Sequence, residues 1–267
     1  MAYQLIALDV DGTLLSDDYV LTERTRNAVR AVHEQGGRIV LCTGRGPASA
    51  IPVLDELGLE GIVITHNGGA TVRTPGLELL HQYAFPVAQI AEMIDYCRKH
   101  SVHFDVCAPF DMYVESWSEV EQAMYKKFFV TPHLVEDVTA LEVSLVKFTL
   151  YSADPAVMDA VEKDWSLTGL YGELRMIRSG EHFIDVMHEQ ATKGNALRRL
   201  CAQLQVHPEH VLAIGNYYND LEMLSFAGLG IAMANSPAGV LEQADDSTAS
   251  NNEDGVAEAL EKHILNG

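Results

Sequence analysis

Near the start of the chain three short apolar runs each break off at a polar or glycine-rich step. "LIALDV" runs into Asp9, Asp11 and Gly12, "RIVLC" into Thr43-Gly44-Arg45-Gly46, and "GIVIT" into "HNGG". Helical patterns lie between them. Thr22 can cap a helix carrying Ala28, Val29 and Val32 that stops at Gly36-Gly37, and a second helix is predicted from about Pro47 to Leu57. Strands this uniformly apolar, alternating with helices, call for a parallel sheet buried on both faces. The same rhythm returns near Thr192: a helix from Lys193 to about Leu204, "VLAIG", a helix from Asn219 to about Phe226, "LGIAMA", and a closing helix from Asp254.

Between these stretches the pattern changes. Aromatic residues crowd from Tyr83 to Tyr151, and the strand candidates come as pairs: "HFDVCA" with "DMYVES", then "LVKFTLYS", then "ELRMIRS" with "HFIDVM". Helices are expected over "AQIAEMIDYCRKH", "SEVEQAMYKKFF" and "DPAVMDAVEKDW". Helices set against antiparallel strands form a separate α+β layer. The expected plan is therefore a doubly wound, mostly parallel, Rossmann-like α/β core from residues 1–83 and 188–267. An α+β domain, residues 84–187, is inserted into it, with a cleft between the two.

Composition narrows the function. A formal net charge of −20 over 267 residues argues against nucleic acid or an anionic membrane surface as a partner. A small anionic substrate is compatible with that field only where a local positive group, such as a bound divalent cation, overrides it. The first apolar run is short, is interrupted by Asp9 and has no basic leader, and no span is fit to cross a bilayer. Cys42, Cys97, Cys107 and Cys201 are scattered, as expected for buried thiols in a reducing cytoplasm. Oligomeric state is not legible.

The chemistry gathers at the ends of the strands, where open α/β sheets bind ligands. Side chains two apart on a strand face the same way, so Asp9 and Asp11 are expected to point together. An Asp-x-Asp in a polar loop is ordinarily a solvated turn or a pair of caps. After an apolar run the two acids repel each other and need a partner, and a hard cation such as Mg²⁺ supplies one. Thr43 and the backbone amides around Gly44 can hold phosphate oxygens with Arg45 as a clamp, or can form a plain capped turn. Lys193 lies in the first turn of its helix, where a cation opposes the macrodipole unless an anion sits there, although surface lysines are common. Asp220 with either Asn216 or Asn219 can complete a metal site or orient a phosphate, or one of them can simply cap the following helix.

Taken in chain order, "DVDGTLL", "TGR", "TKGNAL" and "GNYYNDLEML" resemble the four motifs of the haloacid dehalogenase-like hydrolases. "HNGG", "AGLGIAMANS" and "NNEDGVA" are similar to further habits of the Cof-type sugar-phosphatase branch. The resemblance implies a mobile cap and a Mg²⁺-dependent phosphatase acting on small phosphorylated metabolites such as sugar phosphates. Asp9 would be the nucleophile, forming an aspartyl-phosphate, and Asp11 the acid and base, its carbonyl also on the metal. Thr43 and Lys193 would hold the phosphoryl group, with Gly12, Gly44, Arg45 and Asn219 as further substrate contacts. Asp9, Asp11, Asn216 and Asp220 would be the metal set.

One position departs from the pattern. The fourth motif of the family reads G-D-x-x-N-D, and Asn216 stands where its first acid, a direct metal ligand, is expected. An amide oxygen can coordinate Mg²⁺ but brings no full charge. The site is thus expected to be reorganised, to need more metal, or to have kept phosphate-ester binding without hydrolysis.

Overall fold

The structure is a computed structural model that describes residues 3–127, 130–168 and 173–266. It divides into two compact units, one built from the segment up to His81 together with the segment from Thr192 onward, the other from Gln82–Ala191.

In the first unit the strands are β1 (Leu5–Leu8), β2 (Arg38–Cys42), β3 (Ile62–Thr65), β4 (Ala70–Arg73), β5 (Glu78–Gln82), β6 (Val211–Gly215), β7 (Leu229–Met233) and β8 (Asp246–Thr248). Among the described residues they form one sheet in the order β8-β7-β6-β1-β2-β3-β4-β5. The pairings from β8 to β3 are parallel, and β4 turns back antiparallel on β3. The core is doubly wound and mostly parallel, as the strand–helix rhythm requires.

Alternation along the strands assigns the two faces. Ile6 and Leu8, with Ile39, Leu41 and Ile214, pack against α1 (Glu23–Glu34), α2 (Pro47–Glu56) and the closing helix Gly255–Leu260. Leu5 and Ala7, with Val40, Ile64 and Ala213, pack against α3 (Lys193–Leu204) and α4 (Leu221–Phe226). Each fully buried Leu or Ile contributes about 1.5–3 kcal/mol, so the helices on both faces stabilise the sheet. Thr22 caps α1, its Oγ1 accepting from Thr25 N, and donates to Asp254 Oδ1 at 2.5 Å, which ties the first helix to the last.

Three strands of this sheet pass unnoticed in the sequence. β4 and β5 lie between "HNGG" and Tyr83, where "ATVR" and "ELLHQ" are short and broken by Thr74-Pro75-Gly76. β8, "DST", is polar because it is the sheet edge.

In the second unit the sheet order is Leu174–Gly180, Phe183–His188, Lys147–Tyr151, His103–Cys107, Met112–Val114, His133–Leu134, antiparallel except for the last pair. Helices Ala91–His100, Glu119–Lys127 and Pro155–Thr168 accompany it; the end of the helix expected over "SEVEQAMYKKFF", Phe128-Phe129, lies outside the described residues. Phe104, Val106, Phe148, Leu150, Ile184 and Val186 form one face and the core. On the alternate positions Asp105, Thr149 and Asp185 align across three neighbouring strands. Thr149 donates to Asp185 at 3.0 Å, Lys147 lies 3.8 Å from Asp185, and Tyr125 donates to Asp105 at 3.2 Å.

Two predictions follow from this packing. Gly68 has φ +97°, and a Cβ there would fall 2.1 Å from the Thr192 carbonyl oxygen. Gly68→Ala should therefore cost about 2 kcal/mol or more in urea unfolding; an unchanged midpoint would show that the loop can move aside. Burial pushes the Asp105 carboxyl up to about 6 against the pull of Lys147. Such a group binds its proton more tightly when folded, so the stability it lends is full below about pH 4 and lost as pH rises through about 6. Asp105→Asn should gain on wild type by on the order of 2 kcal/mol between pH 4.5 and pH 7, read from paired unfolding curves. A pH-independent difference would rule this out.

Candidate active site

The polar groups stand where the parallel strands end. β1 gives out at Leu8 and leads to Asp9, which is 4% exposed and whose N–H donates to the Ile214 carbonyl at 3.0 Å. Thr43 follows β2, Asn67 follows β3, and Asn216 follows β6. Lys193 comes from the first turn of α3, whose N-terminus is capped by Thr192 Oγ1 accepting from Asn195 N at 3.0 Å.

Lys193 is 1% exposed, and its Nζ donates to Asp9 Oδ1 and to Asp220 Oδ1, both at 2.6 Å. Burial disfavours the ammonium, but the two carboxylates more than offset this and hold it above the ordinary lysine range. Burial, aided by the charge of Asp220 and opposed by Lys193, pushes the Asp9 carboxyl up to about 7. Its other oxygen, Oδ2, accepts from Thr13 Oγ1 at 2.8 Å. The lysine that seemed misplaced at a helix N-terminus thus meets two anions there, and they belong to the chain itself.

Asp220 is fully buried, and its remaining oxygen accepts from the N–H groups of Asn216 and Tyr217 at 2.9 and 3.0 Å. Both oxygens are thereby committed, and the residue acts as a clamp on the β6 loop and on Lys193. The Asp11 side chain is exposed and grips Arg45, accepting from Nε at 2.9 Å and from Nη2 at 2.6 Å. The pairing of Asp9 with Asp11 drawn from strand periodicity lapses because the strand has already ended; only the main chain of Asp11 turns toward Asp9. Arg45 is held by Asp11 and by the Ser49 carbonyl. Thr43 is fully buried with its Oγ1 accepting from Arg45 N at 3.1 Å. Asn219 donates to Asn67 Oδ1 at 3.0 Å, and a Cβ on Gly44 would touch that same Asn67 oxygen at 3.1 Å.

The donors suit a hard cation. The inner end of the Asn216 amide lies 3.2 Å from Asp9 Oδ2 and 3.3 Å from the Asp11 carbonyl oxygen. A carboxylate, a main-chain carbonyl and a side-chain amide gathered in this way are the hard oxygen donors that Mg²⁺ prefers. The direct ligands would be Asp9, the Asp11 carbonyl and the Asn216 amide oxygen, a set with a single carboxylate.

The sequence matches the model of the haloacid dehalogenase-like hydrolases over residues 6–260. The chain belongs to this family. It is 33% identical to YxeH of Bacillus subtilis (strain 168), with 98% of this chain and 99% of that protein covered. It is 29% identical to the 5-amino-6-(5-phospho-D-ribitylamino)uracil phosphatase YcsE of the same organism, over 98% and 96% of the two chains. A crystal structure of a haloacid dehalogenase-like hydrolase from Bacteroides thetaiotaomicron superposes with a TM-score of 0.89 at 28% identity, covering 97% of this chain and 99% of the other. The Cof-type resemblance, the fold class and the hydrolase class expected from the motifs all hold for this chain.

In this hydrolase several supporting residues had no role in the sequence reading. Thr13, read only as part of "DVDGTLL", is a direct partner of Asp9. Asn235, from "MANS", donates to the Gly12 carbonyl at 2.9 Å and accepts from Asn251 N at 3.2 Å. Asn251, from "NNEDG", donates to the Leu15 carbonyl at 3.1 Å and to Asp17 at 3.0 Å. These motifs brace the loop after Asp9, a role that only contact between the two ends of the chain reveals.

Lys193→Met keeps the bulk but leaves two buried carboxylates facing each other. We expect a loss of about 3–5 kcal/mol in urea unfolding at pH 7. A loss below about 1 kcal/mol would mean that the carboxylates find other partners.

Proposed function

We propose that the chain is a Mg²⁺-dependent phosphatase of small phosphorylated metabolites, sugar phosphates or compounds of similar size, working through an aspartyl-phosphate on Asp9. The observation that carries the reading is the buried Asp9 carboxylate, fixed at the end of β1 by Lys193 and Thr13, with a set of oxygens beside it that suits one hard cation. The relative YcsE, named for a phosphorylated ribityl-uracil substrate, supports a small organic phosphate as the class. The reading places the enzyme in the cytoplasm; among the described residues no helix is long and apolar enough to cross a membrane.

In the first half-reaction an Asp9 carboxylate oxygen attacks phosphorus and the ester P–O bond breaks. The leaving oxygen takes a proton from the Asp11 carboxyl, which requires that Asp11 part from Arg45; the freed guanidinium then faces the phosphoryl group as a bidentate donor. In the second, Asp11 takes a proton from water as that water attacks phosphorus, releasing inorganic phosphate and restoring the Asp9 carboxylate. Lys193 favours the ionised form of Asp9 against burial and aims it throughout, and its fixed charge is available to the transferring group without reorganisation. Thr43 and the amides around Gly44 hold further phosphoryl oxygens, and Asn219, steadied by Asn67, orients them. Bound Mg²⁺ would supply charge neutralisation between the carboxylate and the phosphate dianion.

Phosphate release from p-nitrophenyl phosphate should require Mg²⁺, cease with EDTA and return on adding Mg²⁺. Asp9→Asn should lower it by at least roughly 10³-fold while the melting temperature stays near that of wild type. Folded wild type that releases no phosphate at any Mg²⁺ concentration would leave only the phosphate-ester binding reading, which Asn216 favours.

A further inference from the structure

The Asn216 amide has two ends, and the oxygens beside it discriminate between them. With Oδ1 inward, the amide oxygen faces Asp9 Oδ2 at 3.2 Å and the Asp11 carbonyl oxygen at 3.3 Å, and its one donor is the Thr13 hydroxyl at 3.4 Å, which already serves Asp9 Oδ2 at 2.8 Å; a cation would stabilise such a gathering of oxygens. With Nδ2 inward, the amide donates to Asp9 Oδ2 and to the Asp11 carbonyl, satisfying both. The amide is confined to this choice. Gly12, at φ +74°, lies so close that a Cβ there would come within 2.4 Å of it, and Asp220 holds the Asn216 N–H from behind at 2.9 Å.

We propose that Asn216 is a two-position gate on the cation ligands, which rests on Mg²⁺ being the resident ion of the phosphatase reading. With Nδ2 inward it cross-links Asp9 to the Asp11 carbonyl and holds the metal-free site together. Mg²⁺ binding turns the amide over and recruits Oδ1. An aspartate cannot do this, since it presents oxygen at both ends and, without the ion, sets a second carboxylate 3.2 Å from Asp9. The amide therefore trades cation affinity for a site that keeps its shape between occupancies. Cation entry becomes a competition with an internal donor, and the enzyme responds to Mg²⁺ concentration instead of holding the ion permanently.

The test titrates Mg²⁺ alone into wild type, Asn216→Asp and Asn216→Ala by calorimetry and melts each protein in EDTA and in excess Mg²⁺. For Asn216→Asp we expect a Mg²⁺ dissociation constant lower by roughly tenfold or more, a melting temperature in EDTA below that of wild type, and a larger rise on adding Mg²⁺. For Asn216→Ala we expect a lower melting temperature in EDTA and no gain in affinity. Asn216→Asp melting in EDTA at or above wild type, or Asn216→Ala melting there at the wild-type temperature, overturns the gate. No heat from Mg²⁺ with either wild type or Asn216→Asp overturns it as well, by removing the ion. None of these readouts involves turnover, so a failure to hydrolyse p-nitrophenyl phosphate is a separate result that removes the phosphatase reading and leaves the gate standing.

Discussion

The contact on which the site depends is a buried ammonium shared by two carboxylates. Lys193 reaches from the start of α3 to Asp9 on one side and Asp220 on the other, all three withdrawn from water. Each charge alone would be very costly at that depth; removing Lys193 leaves two carboxylates unpaired, whereas removing either carboxylate leaves the lysine with the other. The arrangement joins two distant parts of the chain, since Asp9 precedes the inserted unit in sequence and Lys193 and Asp220 follow it. The core cannot close correctly without bringing its two segments into register. On the proposed function, the geometry that would aim Asp9 for attack is the geometry that completes the sheet.

The neighbouring loops serve that contact. Asp220 has one oxygen for Lys193 and one for the backbone of the β6 loop, so the loop carrying Asn216 is fixed by the same side chain that fixes the lysine. Gly68 lets the β3 loop lie directly against the Thr192 carbonyl, at the entry to α3. Asn235 and Asn251 hold the loop after Asp9 from the far end of the chain. Asp11 and Arg45 stand outside this framework, the exposed carboxylate paired with a half-buried guanidinium, and on the proposed function theirs is the contact that parts when chemistry requires it.

Much of this was legible in the sequence because strand and helix periodicity report burial. The parallel strands β1, β2, β3, β6 and β7 are apolar on both faces, and the helix starts at Thr22 and Thr192 carry their caps. β4, β5 and β8 were not legible: β4 is only four residues and mixes Thr71 and Arg73 with Ala70 and Val72, and β5 and β8 are short edge strands where periodicity carries little information. Within the site, the motifs named residues that the fold brings to the same strand ends, but not the partners these residues have there. Period-two alternation put the Asp11 carboxyl beside Asp9, yet it applies only while the strand lasts, and the strand ends first. The partners of Lys193, Asp220 and Arg45 are other residues of the same motifs, and pairings between segments so far apart leave no local signature.

Charge links the site to the composition. A chain at −20 repels a phosphate dianion at long range, so the substrate must be drawn in by what lies within about one Debye length, roughly 8 Å at physiological salt. Around Asp9 the cluster holds Asp9, Asp11 and Asp220 against Lys193 and Arg45, which leaves it negative. A divalent cation beside Asp9 reverses that sign. An aspartate at position 216 would cancel part of the reversal. On the proposed Mg²⁺-dependent function, asparagine there would leave the cluster more positive toward an incoming phosphate, so that weaker hold on the metal and stronger attraction for the substrate would come from the same uncharged side chain.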